Sequence, residues 1–121
     1  MSAADRLRDA FVRDDFEEMI AVLDPGVTWR GIEIPGEEEP PMCHNRDEVR
    51  NVFQWHIDQG NRALPTIVAE DSAHIVVEMN LQQPSETPDL HQLLTVKADR
   101  VVRIQDFPDR ETALAAGGLD A

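Results

Sequence analysis

The spacing of apolar residues changes partway along the chain, and this change restricts the fold more than any other feature. Leu7, Ala10 and Phe11 sit at helical spacing. Phe16, Met19, Ile20 and Leu23 continue it at i, i+3, i+4 and i+7. Val49, Val52, Phe53, His56 and Ile57 form a third helical stripe. From Leu64 onward the pattern is that of strands, with β-branched and apolar residues in short runs between turn residues. Helices first and strands afterwards predict an α+β domain, with helices on one face of a mostly antiparallel sheet. A strongly curved sheet covered this way encloses a cone-shaped cavity between the two layers.

Local signals divide the chain further. Asp14, with Glu17 three positions on, predicts the start of a second helix. Asp24-Pro25-Gly26 stops that helix, and residues 27–32 read as a first strand. Val27 and Trp29 then share one side, with Thr28 and Arg30 on the other. Residues 33–44, with three prolines and four glutamates, form a loop. Asn45 caps the third helix with Glu48 as its partner, and Gly60 ends it. Strands follow over residues 64–70 and 73–83, with a turn at Asp71-Ser72 and a loop over residues 84–89. Residues 90–98 and 100–107 form a hairpin around Ala98-Asp99-Arg100. In that hairpin Asp106 falls opposite about position 92, next to His91. Asp109 caps a short final helix, which runs into Gly117-Gly118.

The 121 residues suffice for one domain over 1–121. No apolar run approaches the roughly 18 residues of a membrane span. The opening stretch MSAADRLRDAF carries charges where a signal peptide needs apolar residues, so a cytoplasmic protein is expected. A single cysteine excludes an internal disulfide. A net charge of −13 argues against nucleic acid and anionic membranes as partners.

The segments FEEMIAVLDPGVTWRG, CHNRDEV and LLTVKADRVVRIQDFPDRETALAA carry a family resemblance over almost the whole chain. It resembles the NTF2-like superfamily, and more narrowly the SnoaL-like and ketosteroid-isomerase-like branch. The shared features are a Trp-x-Gly strand, a Cys-x-x-Arg-Asp/Glu-x-Val helix start and a final Ile-x-Asp strand. The resemblance implies a cone-like pocket for a small apolar molecule and commonly a homodimer paired through the outer sheet face. It is poor for reaction type, because this fold hosts isomerases, cyclases, dehydratases, epoxide hydrolases and non-catalytic modules.

The long strand bears on the dimer independently. Ile75, Val77, Met79 and Leu81 form one apolar row, and His74, Glu78, Asn80 and Gln82 the opposite row, broken by Val76. If the polar row faces the pocket, the apolar row faces outward and a second subunit covers it. If the apolar row faces the helices, the polar row meets water. A slip of one residue exchanges the two.

Candidate chemistry follows partly from the resemblance. The position of the steroid isomerase base falls at or beside Arg30, and a guanidinium stays protonated. The chain has no tyrosine, so that family's tyrosine donor is missing too. The resemblance places His91 at the other oxyanion position and Asp106 on the cavity wall. A His91–Asp106 pair would act as base and orienter in a cofactor-free isomerase or cyclase step. Trp29, Arg30, Trp55, His56, Glu78 and Asn80 are expected to line the pocket. A non-catalytic ligand-binding or dimerisation module is the alternative. A further one is an epoxide-hydrolase-like site built from Arg30, Arg103, Glu78 and Asp106. Cys43-His44 and the scattered histidines lack the local spacing of a metal site, so neither metal nor cofactor is expected. Adjacent residues of an extended segment point apart, which argues against activation of Cys43 by His44.

Overall fold

The computed structural model describes residues 2–32, 36, 40–60, 63–81 and 90–119. Three helices come from the first half: α1 Ala3–Arg13, α2 Phe16–Ala21 and α3 Arg46–Asp58. The strands are β1 Leu23–Arg30, β2 Ala63–Glu70, β3 His74–Leu81, β4 Leu90–Lys97 and β5 Arg100–Phe107, and α4 Arg110–Gly117 follows them. The expected loop over 84–89, with Gln82 and Gln83 before it, lies outside the described residues, as do Glu33 to Pro35 and Glu37 to Glu39.

Each helix starts on a side-chain oxygen that takes up an otherwise unpaired backbone N–H. Ser2 accepts from Asp5 N at 3.1 Å. Asn45 accepts from Glu48 N at 2.9 Å, and Asp109 from Thr112 N at 2.8 Å. Glu48 returns its own bond to His44 N at 2.8 Å, one residue further back than the usual box. The α2 cap falls one residue later than expected. Asp15 accepts from Glu18 N at 3.2 Å, while Asp14 ends α1 in the left-handed conformation, φ 52°. A short polar side chain tolerates that conformation, so Asp14 closes one helix and cannot open the next.

The sheet is mixed and unclosed, in the order β1-β5-β4-β3-β2. β1 runs parallel to β5 and the other pairs are antiparallel. β1 starts earlier than expected, because Asp24-Pro25-Gly26 is absorbed as an irregularity between Leu23 and Thr28. Asp24 Oδ2 accepts from Gly26 N at 2.9 Å within it. The β4–β5 turn is Ala98-Asp99, φ 51° and 59°, with Lys97 opposite Arg100. A register shift between Thr95 and Val96 then sets Gln92 opposite Asp106, the register expected from the sequence. The outer edge of β2 is blunted by Pro65 and by a register shift between Ile67 and Ala69.

The apolar row of β3 faces the helices. Ile75 and Val77 are buried with Leu94, Ile104, Val27 and Trp29 against Leu7, Ile20 and Val49, and Met79 packs at the margin. This corrects the outward orientation from which the dimer was argued. The helical stripes of α1 to α3 need an apolar partner, and the row of β3 supplies it. The outer face has its own cover: Val76 and Leu93 pack under Ala113, with Phe107, Leu114 and Leu119 around them. The approach is close, since a Cβ on Gly117 would meet Leu93 Cδ1 at 2.9 Å. Helix α4 thus covers what the outward orientation assigned to a second subunit. The α3 stripe is buried only in its first half. Val49 is sealed and Phe53 half-buried, whereas His56 and Ile57 are exposed. Among the described residues no helix is long and apolar enough to cross a membrane.

Two outcomes check this arrangement. Val77→Asp puts an unpaired carboxylate in the core, so a loss of about 4 kcal/mol or more is expected in urea unfolding, not a folded monomer in sedimentation. Asp15→Ala should cost about 1 kcal/mol. Asp14→Gly should leave stability unchanged or raise it, because glycine adopts the left-handed conformation without strain.

Candidate functional site

Asp106 is the centre of the inner-face site. It lies on β5, between β1 and β4, and only 7% of its surface is exposed. Trp29 Nε1–H donates to its Oδ1 at 2.9 Å, and Gln92 Nε2–H donates to the same oxygen at 3.0 Å. Oδ2 has no hydrogen-bond donor among the described residues. Trp29 is itself fixed on two sides. Its ring stacks on Phe53 of α3, centroids 5.0 Å apart. Its backbone bridges Cys43, with Trp29 N to Cys43 O at 3.0 Å and Cys43 N to Trp29 O at 3.2 Å.

Burial raises the pKa of Asp106 above the ordinary aspartate value, and the bonds from Trp29 and Gln92 offset part of that rise. The result is a carboxylate that takes up a proton more readily than a surface one, with one oxygen that no donor among the described residues engages.

His91 is on the opposite face. It sits opposite Glu78 and Phe107, while Gln92 beside it sits opposite Val77 and Asp106. Neighbours in a strand project to opposite sides, so Gln92 reaches Asp106 and His91 does not. The expected His91–Asp106 pair is not assembled. His91 is 8% exposed, its Nε2 is 3.5 Å from Glu78 Oε2, and among the described residues neither ring nitrogen has a hydrogen-bond partner. Arg110 of α4 donates to Glu78 at 2.6 Å and is the main cause holding that carboxyl below its ordinary range.

The other expected positions also separate. Arg30 is opposite Gln105 on the outer face. Arg103 is exposed there and donates to Gln105 Oε1 at 3.2 Å, and Gln105 donates to Gly31 O at 2.9 Å. The Asp-Arg-Asp arrangement of an epoxide-hydrolase-like site is therefore not formed around Asp106. Asn80 shares the outer row by its pairing with Leu64. Trp55 is 57% exposed and stands edge-on to His56, which is also exposed. Of the expected lining residues only Trp29 touches Asp106. Cys43 is buried, and burial first, then Glu48 and Asp106, push its thiol up, which keeps it neutral. His44 points to solvent with Glu48. Among the described residues no group of three potential ligands gathers to hold a metal. Sequence reasoning missed Gln92, although the signal was present: it is the residue directly across the hairpin from Asp106.

The raised pKa has a definite sign in stability. The unfolded chain ionises Asp106 at lower pH than the folded one, so stability falls as pH climbs from the unfolded to the folded value. Asp106→Asn keeps the acceptor for Trp29 and Gln92 and removes the buried charge. It should therefore be more stable than wild type at neutral pH. The gap should narrow towards the lowest pH at which both remain folded, as read by urea unfolding across pH.

No family model matches the chain, and no curated protein matches it at a significant level. Solved structures do match in shape. An NTF2-like protein of unknown function from Burkholderia pseudomallei superposes with a TM-score of 0.60 at 21% identity, over 93% of this chain and 92% of that one. A candidate polyketide cyclase from Xanthomonas campestris gives 0.61 at 16% identity, over 93% and 92%. TerC, co-crystallised with polyporic acid, gives 0.58 at 21% identity, over 97% and 94%. At these identities the likeness rests on backbone path, which agrees with the element order, the curved unclosed sheet and the three covering helices. The chain has the NTF2-like fold.

Proposed function

We propose that the chain is a small-molecule pocket protein that carries out cofactor-free acid–base chemistry on a small, largely apolar substrate, in an isomerase or cyclase step. The observation that carries this is the Asp106 carboxylate, buried on the inner sheet face and held by one oxygen only. In its ionised form Oδ2 accepts a proton from an acidic carbon, and the resulting neutral acid returns it elsewhere on the same molecule. The surrounding inner-face residues Val77, Met79, Ile104 and Phe53 suit an apolar substrate. The candidate polyketide cyclases among the similar structures are compatible with this reading. The resemblance and the charge pattern add a homodimer and a cytoplasmic setting as expectations, and sedimentation tests the first.

One observation favours a non-catalytic binding module instead: among the described residues, no second acid or base shares the hydrogen bonds of Asp106. A single experiment separates the two. Deuterium uptake by a panel of small ketones and β-dicarbonyls in heavy water reads proton abstraction without knowledge of the natural substrate. Wild type should accelerate uptake, and Asp106→Asn should lose about 100-fold or more of that acceleration. Equal acceleration by both proteins would sink the acid–base reading. No acceleration by either, with polyporic acid still changing tryptophan emission, would leave the binding module.

A further inference from the structure

Asp106 is gripped from both neighbouring strands, and both grips meet the same oxygen. Trp29 arrives from β1 at 2.9 Å and Gln92 from β4 at 3.0 Å. The two donors differ in what else they do. Trp29 has packing duties of its own, through its stack on Phe53 and its bridge to Cys43. Gln92 has none of these. It is 5% exposed, lies in a row with Ile67 and Val77, and its side chain makes one hydrogen bond among the described residues, to Asp106. Packing alone would put leucine or methionine there, since a buried carboxamide carries a desolvation cost that an apolar side chain avoids. That cost is met at a position whose one bond goes to the acid.

The geometry has a second consequence. A carboxylate held by one donor can turn about its Cβ–Cγ bond and exchange its oxygens. With two donors converging on Oδ1 from opposite sides, turning breaks both bonds at once. Oδ2 is then the oxygen left facing away from the sheet neighbours.

We propose that Gln92 is the positioning residue of this site, holding Asp106 by Oδ1 so that Oδ2 is the oxygen presented to substrate. The proposal rests on the acid–base reading of Asp106. Gln92 touches no reacting atom. It acts through Asp106, and because it donates to the charged form it also favours ionisation against the effect of burial.

The chain supplies its own reporter. It has two tryptophans and no tyrosine. Replacing the exposed Trp55 (Trp55→Phe) leaves Trp29, which is bonded to Asp106, as the dominant emitter. Emission of this variant is titrated from acid to neutral pH, and the Asp106 transition is the one that Asp106→Asn abolishes. Adding Gln92→Met, which keeps volume and removes the donor, should move that midpoint to higher pH. Gln92→Glu should replace it with two coupled steps, because two facing carboxyls do not ionise independently. An unchanged midpoint in a Gln92→Met protein with intact far-UV circular dichroism overturns the proposal and leaves the acid–base reading standing. If Gln92→Met does not fold, a single unshifted step in Gln92→Glu overturns it equally. Absence of any Asp106-dependent transition overturns both the proposal and the reading beneath it.

Discussion

The register between β4 and β5 determines what the inner face of this protein is made of, and it is set jointly by the left-handed turn residues Ala98 and Asp99 and by a register shift between Thr95 and Val96. The two-residue turn sets Lys97 opposite Arg100 and Val96 opposite Val101. The irregularity then moves the pairing by one residue, which sets Gln92 against Asp106 and His91 against Phe107. Without that irregularity, the register of the Val96–Val101 pair would put Gln105 against Gln92 and Asp106 against His91. Ala98 holds this conformation against the steric cost of its Cβ, of about 1 kcal/mol, so the rest of the hairpin must impose it. The ladder does so through Leu94 and Ile104, both buried in the main core.

That register gives the fold a cost as well as a site. Asp106 is an acid in a position that packing would fill with an apolar residue, and its burial opposes ionisation. Trp29 and Gln92 reduce the penalty without cancelling it. Stability given up at a residue while its geometry is tightly held is the usual sign of a functional position. His91 shows the opposite pattern. It is buried too, but among the described residues its ring nitrogens have no hydrogen-bond partner, and its neighbour Glu78 is engaged by Arg110 of α4. Nothing there resembles the two-sided hold on Asp106.

The elements were legible because each is marked by short-range chemistry. Asn45 and Asp109 cap where the sequence placed them, and the hairpin pairs in the expected register. The face of β3 was not legible, because Ile75, Val77 and Met79 satisfy an inward and an outward orientation equally well. What decided it was α4, whose return across the sheet buries Val76 and Leu93. The site was half-legible. Asp106 stood out as an acid in a strand, and Trp29 as a wall residue. The sequence pairs Asp106 with the titratable His91, whereas the neighbour that hydrogen-bonds it is the neutral Gln92. Alternation within a strand decides such a case, and charge does not. Helical periodicity places His56 inward, and Trp55 is expected to wall the pocket, yet the second half of α3 lies off the core, which no stripe within one helix reveals.

The position of α4 also governs how this domain could be joined to others. Its last turn packs Gly117 against Leu93 and His74, at the β2–β3 turn. Ser2 and Ala3, at the start of α1, line a hollow of about 370 Å³ with Asp71 and Ser72 of that same turn. Both ends of the described chain therefore emerge at one pole, while Asp106 lies towards the other end of β5. A unit of this shape can be spliced into a surface loop of a host protein through two short tethers, with Asp106 directed away from the host.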